Sequence, residues 1–231
     1  MQIVIPMSGF GERFRAAGYS LPKPLIEVDG KTIIQYIVEM FPGENDFTFI
    51  CNKDHLNEKK YRMREILNKI APQSRIISIE PHKLGPVHAI LQAMTSLDYK
   101  KPTIVNYADF TCDWNYVDFC DSVEKSSCDG AIPCYRGFHP HTLWSNYYAY
   151  VPEENMYALD IQEKKPFTDS PRNEFASSGT YYFKSANLMQ KYFEKCVEED
   201  LTVGGEYYVS MAYKPMIQDS LNIQILSLIH I

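Results

Sequence analysis

The chain has 231 residues, 45% of them hydrophobic and 23% charged, with 23 Lys+Arg against 29 Asp+Glu for a net charge of −6. This is the usage of an ordinary globular protein, and it excludes disorder, collagen-like repeats and a coiled coil. A mildly acidic chain is also a poor general binder of nucleic acid, which needs a basic face, although a local cationic pocket can still hold one small phosphate ligand.

No apolar run reaches the roughly 18 residues that span a bilayer. The start, Met1-Gln-Ile-Val-Ile-Pro6, has no basic region and too short an apolar stretch for a secretory leader, so a cytoplasmic protein is expected. The six cysteines, Cys51, Cys112, Cys120, Cys128, Cys134 and Cys196, contain no C-x-x-C pair and read as free thiols. Seventeen tyrosines and twelve phenylalanines suggest many strands and stacking surfaces.

In chain order, Gln2-Ile-Val-Ile-Pro6 is an apolar run that suits a parallel strand covered on both faces. A glycine loop follows, then a turn at Asp29-Gly30 and a helix over Lys31 to Met40. Phe47 to Cys51 is a second strand. His55 to Ile70 reads as one charged amphipathic helix, whose neighbouring cations Lys53, Lys59, Lys60, Arg62, Arg64 and Lys69 suit a solvated face. Arg75 to Ile79 is a third strand. A helix opens at Leu84-Gly-Pro-Val-His88, since Pro after Gly suits a first helical turn. Thr103 to Tyr107 is a fourth strand, ending at Ala108-Asp109. Strands alternating with helices at this spacing indicate a mostly parallel, doubly wound sheet. The second half reads differently, with strands at Gly130 to Tyr135, Asn146 to Val151, Ala158 to Gln162 and Gly179 to Phe183, then a helix over about Asn187 to Glu199. One domain over residues 1–231 is expected, with its ligand cleft at the C-terminal ends of the parallel strands.

The loop Met7-Ser-Gly-Phe-Gly-Glu-Arg13 carries the first chemistry. Two glycines spaced by one residue allow a tight turn and close approach to a ligand, and successive N–H groups there form an anion-binding nest. Arg13 and the proline-flanked Lys23 can neutralise phosphate oxygens from two sides. The loop is not a dinucleotide fingerprint, because Phe14 stands where the third glycine belongs, and no G-K-[ST] closes it as a Walker loop.

G-x-G-x-R followed ten residues on by Lys23-Pro24 resembles the signature of the NTP-dependent nucleotidyltransferases, the sugar-phosphate and small-phosphate cytidylyltransferase types among them. Four further segments in family order extend the resemblance over roughly 200 residues. They are Gly85-Pro-Val-His-Ala89, Asn106-Tyr-Ala-Asp109, Gln162-Glu-Lys-Lys-Pro166 and Ser178-Gly-Thr-Tyr-Tyr-Phe183, with Gly205-Glu-Tyr-Tyr-Val209 resembling a late segment near the acceptor. The resemblance implies an α/β, Rossmann-like (GT-A-like) fold: a mostly parallel central sheet with helices on both faces and a mixed β-rich second half. It further implies an NTP-binding half over about 1–115 and an acceptor half over about 116–231.

The implied reaction is attack by an acceptor's phosphate oxygen on the α-phosphorus of an NTP, with pyrophosphate leaving. The nucleophile is already an anion, so the protein's task is to bring two polyanions together and stabilise charge. Arg13, Lys23 and Asp109 are the implied catalytic residues, with Asp109 holding Mg²⁺. Nucleotide contacts are implied for Met7, Ser8, Gly9, Gly11, Arg13, Lys23, Gly85 and Pro86. Acceptor contacts are implied for Lys164, Lys165, Gly179, Tyr181 and Glu206, with Lys164 preferred over Lys165 for the acceptor phosphate. A second metal carboxylate is not placed, Asp113 and Glu206 being the candidates. The acceptor is a sugar 1-phosphate, or with CTP a non-sugar phosphate such as phosphocholine, and the products feed surface polysaccharides such as capsule. Membrane and nucleic-acid partners are not expected, whereas a homo-oligomer is common among relatives. The chain ends soon after Asn222-Ile-Gln-Ile-Leu226, where relatives continue with a Gly-Thr-Pro segment, so a shortened C-terminus is the expectation.

Other residues have plainer readings. Asp113 suits a helix cap or turn, His139-Pro-His141 a polar loop rather than a zinc clip, and His88 a partly buried helix position. Trp144, Tyr147, Tyr148 and Tyr150 suit sheet packing, or else an aromatic wall for a sugar or alkylammonium group. Two rival functions stand beside the first. A GT-A glycosyltransferase would need a D-x-D in place of the D-x-x-x-D of Asp109 and Asp113. A non-catalytic nucleotide or sugar-phosphate sensor would bind NTP without turnover.

Overall fold

The computed structural model describes residues 1–137 and 148–228. In chain order, β1 (Gln2–Met7) leads to the short α1 (Glu12–Ala16). The hairpin β2 (Glu27–Val28) and β3 (Lys31–Thr32) precedes α2 (Ile33–Glu39). Then come β4 (Phe47–Asn52), α3 (Lys53–Asn57), α4 (Met63–Ile70), β5 (Arg75–Ile79), α5 (Gly85–Ala93), β6 (Thr103–Asn106) and α6 (Tyr116–Ser126). The second half holds β7 (Gly130–Tyr135), β8 (Ala149–Val151), β9 (Glu153–Glu154), β10 (Tyr157–Ala158), β11 (Gln162–Glu163), β12 (Phe175–Ser177) and β13 (Thr180–Phe183). It closes with α7 (Ala186–Glu198), α8 (Tyr213–Gln218) and β14 (Ile223–Ser227).

A 12-stranded sheet has the main order β11-β8-β12-β7-β13-β6-β1-β4-β5. The four strands β6, β1, β4 and β5 are mutually parallel, as their apolar runs predict. From β13 outward the neighbours along this order pair antiparallel, while β14 adds a parallel strand beside β7. The fold is therefore the expected α/β class with a mixed second half.

Burial on both faces explains the strand sequences. Along β1, Ile3, Ile5 and Met7 face a core closed by α2, α4 and α6, through residues such as Ile34, Leu67 and Phe119. Val4 faces the opposite core, closed by α5, α7 and α8 through residues such as Ile90, Phe193 and Tyr213. With no face left for water, alternation gives way to continuous apolar sequence. All six cysteines are free. No helix among the described residues is long and apolar enough to cross a membrane.

Two expectations fail for stated reasons. The helix expected over His55 to Ile70 is broken into α3, a 3₁₀ turn at Lys59–Tyr61 and α4. Asn52 caps α3, and Arg62 takes a left-handed φ of 48° that ends the turn and restarts the chain as α4. The strand expected over Ala158 to Gln162 is instead two fragments, β10 and β11, which pair with different partners. Helix α6 and strands β9, β12 and β14 were also not anticipated; the strands, of two to five residues, are too short to carry a clear period.

Candidate active site

Parallel strands carry their loops to one edge of the sheet, which is where ligands bind in open α/β folds. The register pairs Met7 with Cys51 and Gln2 to Val4 with Thr103 to Val105, so the loops after β1, β4 and β6 emerge side by side. Antiparallel β13 begins at Thr180 opposite Asn106, bringing Gly179 to the same edge.

The glycine loop leaves β1 at Met7. That side chain is 3% exposed and packs in the core, so Met7 can offer a ligand only its backbone. Ser8 is buried too, and its carbonyl accepts a hydrogen bond of 3.2 Å from Asn52 Nδ2. Gly9 is exposed, and Gly11 caps α1 with a left-handed φ of 64°. Arg13 stands exposed on α1. Arg15 reaches the buried His55, Nη2 to Nε2 at 3.1 Å.

Lys23 begins a 3₁₀ turn in which Pro24 and Leu25 are buried, so packing anchors the lysine's backbone. Its Nζ meets Asp109 Oδ2 at 2.5 Å, across 86 positions of sequence, and lies 4.8 Å from the centre of the Phe14 ring. The pair is partly open to solvent, the side chains being 28% and 45% exposed.

Asp109 is held by a buried buttress. Asn106, 0% exposed, donates to the carbonyls of Tyr107 at 2.9 Å and Phe110 at 3.3 Å, and its Oδ1 accepts from Thr180 Oγ1 at 2.6 Å. Gly179 contributes a carbonyl to Tyr107 N–H at 2.9 Å. A Cβ on Gly179 would come within 3.1 Å of Phe110, so this glycine belongs to the Asp109 turn.

The second half supplies a separate cluster. Lys164, with a left-handed φ of 60°, donates from Nζ to Tyr208 Oη and sits 4.3 Å above that ring. Tyr208 Oη in turn donates to Glu206. Burial and then the bond to Glu206 push the Tyr208 hydroxyl up from its ordinary range, while the nearby Arg13 guanidinium pulls the other way. Glu163, 7% exposed, accepts from Ser210 Oγ at 2.6 Å, and burial raises its carboxyl above the usual range.

Not every expected residue reaches this surface. Tyr181 is 1% exposed and lies beneath it, bonded to Ser177 Oγ at 3.0 Å and edge-on to Tyr107. Strand β13 is covered on both faces, so the Tyr181 side chain packs in the core and supports the site from below. Lys165 is exposed. Pro86 occupies the first turn of α5, and Gly85 packs against the backbone of Tyr207. Asp113 caps nothing, since Asn115 is the N-cap of α6; it lines a shallow groove with Pro42, Trp114 and Val117. His88 is half-buried against His82, their ring centres 4.8 Å apart. Tyr148 and Tyr150 are buried as sheet packing requires. His139-Pro-His141, Trp144 and Tyr147 lie outside the described residues.

Sequence reasoning missed Asn52, Tyr107, Tyr208 and Ser210. The signal for Asn52 was available, since an amide at the C-terminal end of an apolar strand marks a turn. The other three announce themselves only through contacts 44 to 102 positions away.

Among the described residues no group of three His, Cys, Asp or Glu side chains could cage a metal. One exposed carboxylate, Asp109, beside the glycine loop is nonetheless a donor that suits Mg²⁺, which takes one or two carboxylates and completes its shell with other oxygens and water.

Comparison with known proteins bears on the fold and the family. The chain is 32% identical to the bifunctional protein GlmU of Ralstonia pickettii over 109 residues, 47% of this chain but only 22% of that protein's length. It shares its fold with a nucleoside-diphosphate-sugar pyrophosphorylase from Vibrio cholerae RC9, at a TM-score of 0.72 and 21% identity, covering 98% and 91% of the two chains. An inositol-1-phosphate CTP transferase from T. maritima superposes at a TM-score of 0.73 and 11% identity, over 98% and 85%. The sequence model of the nucleotidyl transferase family matches residues 3–218, and the chain belongs to that family.

Proposed function

We propose that this protein transfers a nucleoside monophosphate from an NTP to a small phosphorylated acceptor and releases pyrophosphate. The observation that carries the reading is the meeting of Lys23 and Asp109 at 2.5 Å beside the glycine loop. A cation and a carboxylate drawn from distant segments to one strand edge suit a magnesium–triphosphate, whose two opposite charges would each take one partner.

In this reaction an acceptor phosphate oxygen forms a bond to the α-phosphorus as the bond to the bridging α–β oxygen breaks. The electron pair leaves with pyrophosphate, and an ionised phosphate acceptor needs no general base. Arg13 and Lys23 bind the triphosphate and offset the charge that grows on its oxygens. Asp109 would hold Mg²⁺, which when bound supplies further neutralisation of the phosphates. Lys164, held over the Tyr208 ring, would bind the acceptor phosphate with the ammonium donors that Tyr208 leaves free. The buried Glu163 and the bonded Glu206 can accept hydrogen bonds from acceptor hydroxyls.

A sugar 1-phosphate is the acceptor class we assign, supported by carboxylates that suit hydroxyl groups and by the fold shared with a nucleoside-diphosphate-sugar pyrophosphorylase. A non-sugar phosphate with CTP is the second reading, favoured by the fold shared with the inositol-1-phosphate CTP transferase. The product, an activated diphosphate, suits a later transfer onto a surface polysaccharide such as capsule.

The test is pyrophosphate release with Mg²⁺, crossing the common NTPs with sugar 1-phosphates, inositol 1-phosphate and phosphocholine. Release with one pair names both substrates. NTP binding without release across the panel would instead favour a nucleotide or sugar-phosphate sensor over a transferase of these acceptors.

A further inference from the structure

Gly85 would ordinarily be read as a nucleotide contact at the start of a helix, yet its empty side is filled by protein. Its φ is +85°, and a Cβ there would lie 2.8 Å from both the N and the O of Tyr207 and 3.1 Å from Glu206 Cβ. Two backbone hydrogen bonds straddle it: Tyr207 N–H donates to Leu84 O at 2.9 Å, and Val87 N–H donates to Tyr207 O at 3.1 Å. Tyr207 belongs to a strap that begins as a tight reversal at Gly204 and Gly205, closed by the bridge between Val203 and Glu206.

Beyond that seat, residues 208–210 are tied to the acceptor cluster and to Tyr107 beside the Asp109 turn. Tyr208 connects Lys164 to Glu206. Val209 N–H donates to Tyr107 Oη at 3.0 Å, and Ser210 donates to Glu163. A displacement at Gly85 therefore reaches Lys164 within three links, all of them direct contacts.

We infer that Gly85 is a positioning residue of the acceptor half: its bare Cα seats the strap 203–209, which through Tyr208 sets the place of the Lys164 ammonium. The kinetic consequence rests on the function proposed above. The structural consequence does not.

Gly85→Ala tests both. Alanine disfavours this φ, and its methyl group meets backbone that cannot rotate away. Deuterium exchange at the amides of 203–209 and at Val87 should accelerate, while exchange in β1 and β4 stays slow. With UTP or CTP and glucose 1-phosphate, or the pair that the pyrophosphate panel selects, KM for the acceptor should rise about tenfold or more while KM for the NTP stays within about twofold. Tyr208→Phe keeps the ring over Lys164 but removes the hydroxyl bridge, and it should show the same split without touching Gly85; it serves if Gly85→Ala does not fold. Unchanged exchange over 203–209, or a rise in the NTP KM with the acceptor KM constant, would overturn the inference. If the wild-type protein turns over no pair at all, the proposed function fails, and the exchange arm still decides whether Gly85 seats the strap.

Discussion

Replacing Asn106 with alanine tests how the carboxylate at the centre of the site is held. The side chain is 0% exposed and makes three hydrogen bonds, to the carbonyls of Tyr107 and Phe110 and from the hydroxyl of Thr180. Alanine removes all three bonds, one to the buried Thr180 hydroxyl and two to carbonyls of half-buried residues. At roughly 1 kcal/mol for each bond, the loss is about 3 kcal/mol. For a chain of 231 residues, where 1 kcal/mol shifts Tm by about 2–4 °C, this predicts a fall of about 6–12 °C. The two carbonyls flank Asp109, so the turn loses its register, and turnover should drop by about 10²-fold, the cost of roughly 1 Å of misplacement. Calorimetry and pyrophosphate release measure the two effects. Adding Thr180→Val removes the hydroxyl orphaned by Asn106→Ala, so the double variant should be less destabilised than the sum of the singles. Strict additivity, or a Tm change under about 1 °C for Asn106→Ala, would refute the buttress.

Lys23→Ala and Asp109→Ala should each lower kcat/KM by about 10²–10³ and leave Tm nearly unchanged, because a half-exposed ion pair contributes little to stability; wild-type rates in both would show the site to be misassigned. Lys164→Ala should raise the acceptor KM far more than Lys165→Ala, since Lys164 alone of the two is fixed over Tyr208; equal effects would count against that choice. Burial first and Arg15 second hold His55 below its ordinary value of 6.5. The folded state therefore favours the neutral imidazole, with Asp54 opposing and the Tyr61 ring beside it. Its contribution is intact above pH 6.5 and is lost as the pH falls and the unfolded chain takes up the proton first, at up to about 1.4 kcal/mol per pH unit. Melting from pH 7.5 to 5 should show this fall in the wild type and a flatter profile in His55→Gln; parallel profiles would exclude His55 as its source.

The parts whose physics is local were legible in the sequence. A buried apolar run followed by G-x-G declares a parallel strand and a tight turn, because burial on two faces and a sharp reversal leave few other residue choices. The four parallel strands and the helix at Gly85 follow from local pattern, Lys23 from its place between two prolines after the glycine loop, and Asp109 from the resemblance to the nucleotidyltransferases. Which distant groups meet depends on the packed fold. Nothing near Lys164 in sequence announces Tyr208, and nothing near Gly85 announces Tyr207. Tyr181 and Lys164 look alike as candidates, yet a strand covered on both faces buries one while a left-handed backbone accompanies the other's seat over the Tyr208 ring. The breaks at Arg62 and between β10 and β11 belong to the same class. A non-glycine residue at positive φ, or a strand that changes partners, is imposed by packing against remote segments, and such contacts leave no periodic mark on the chain.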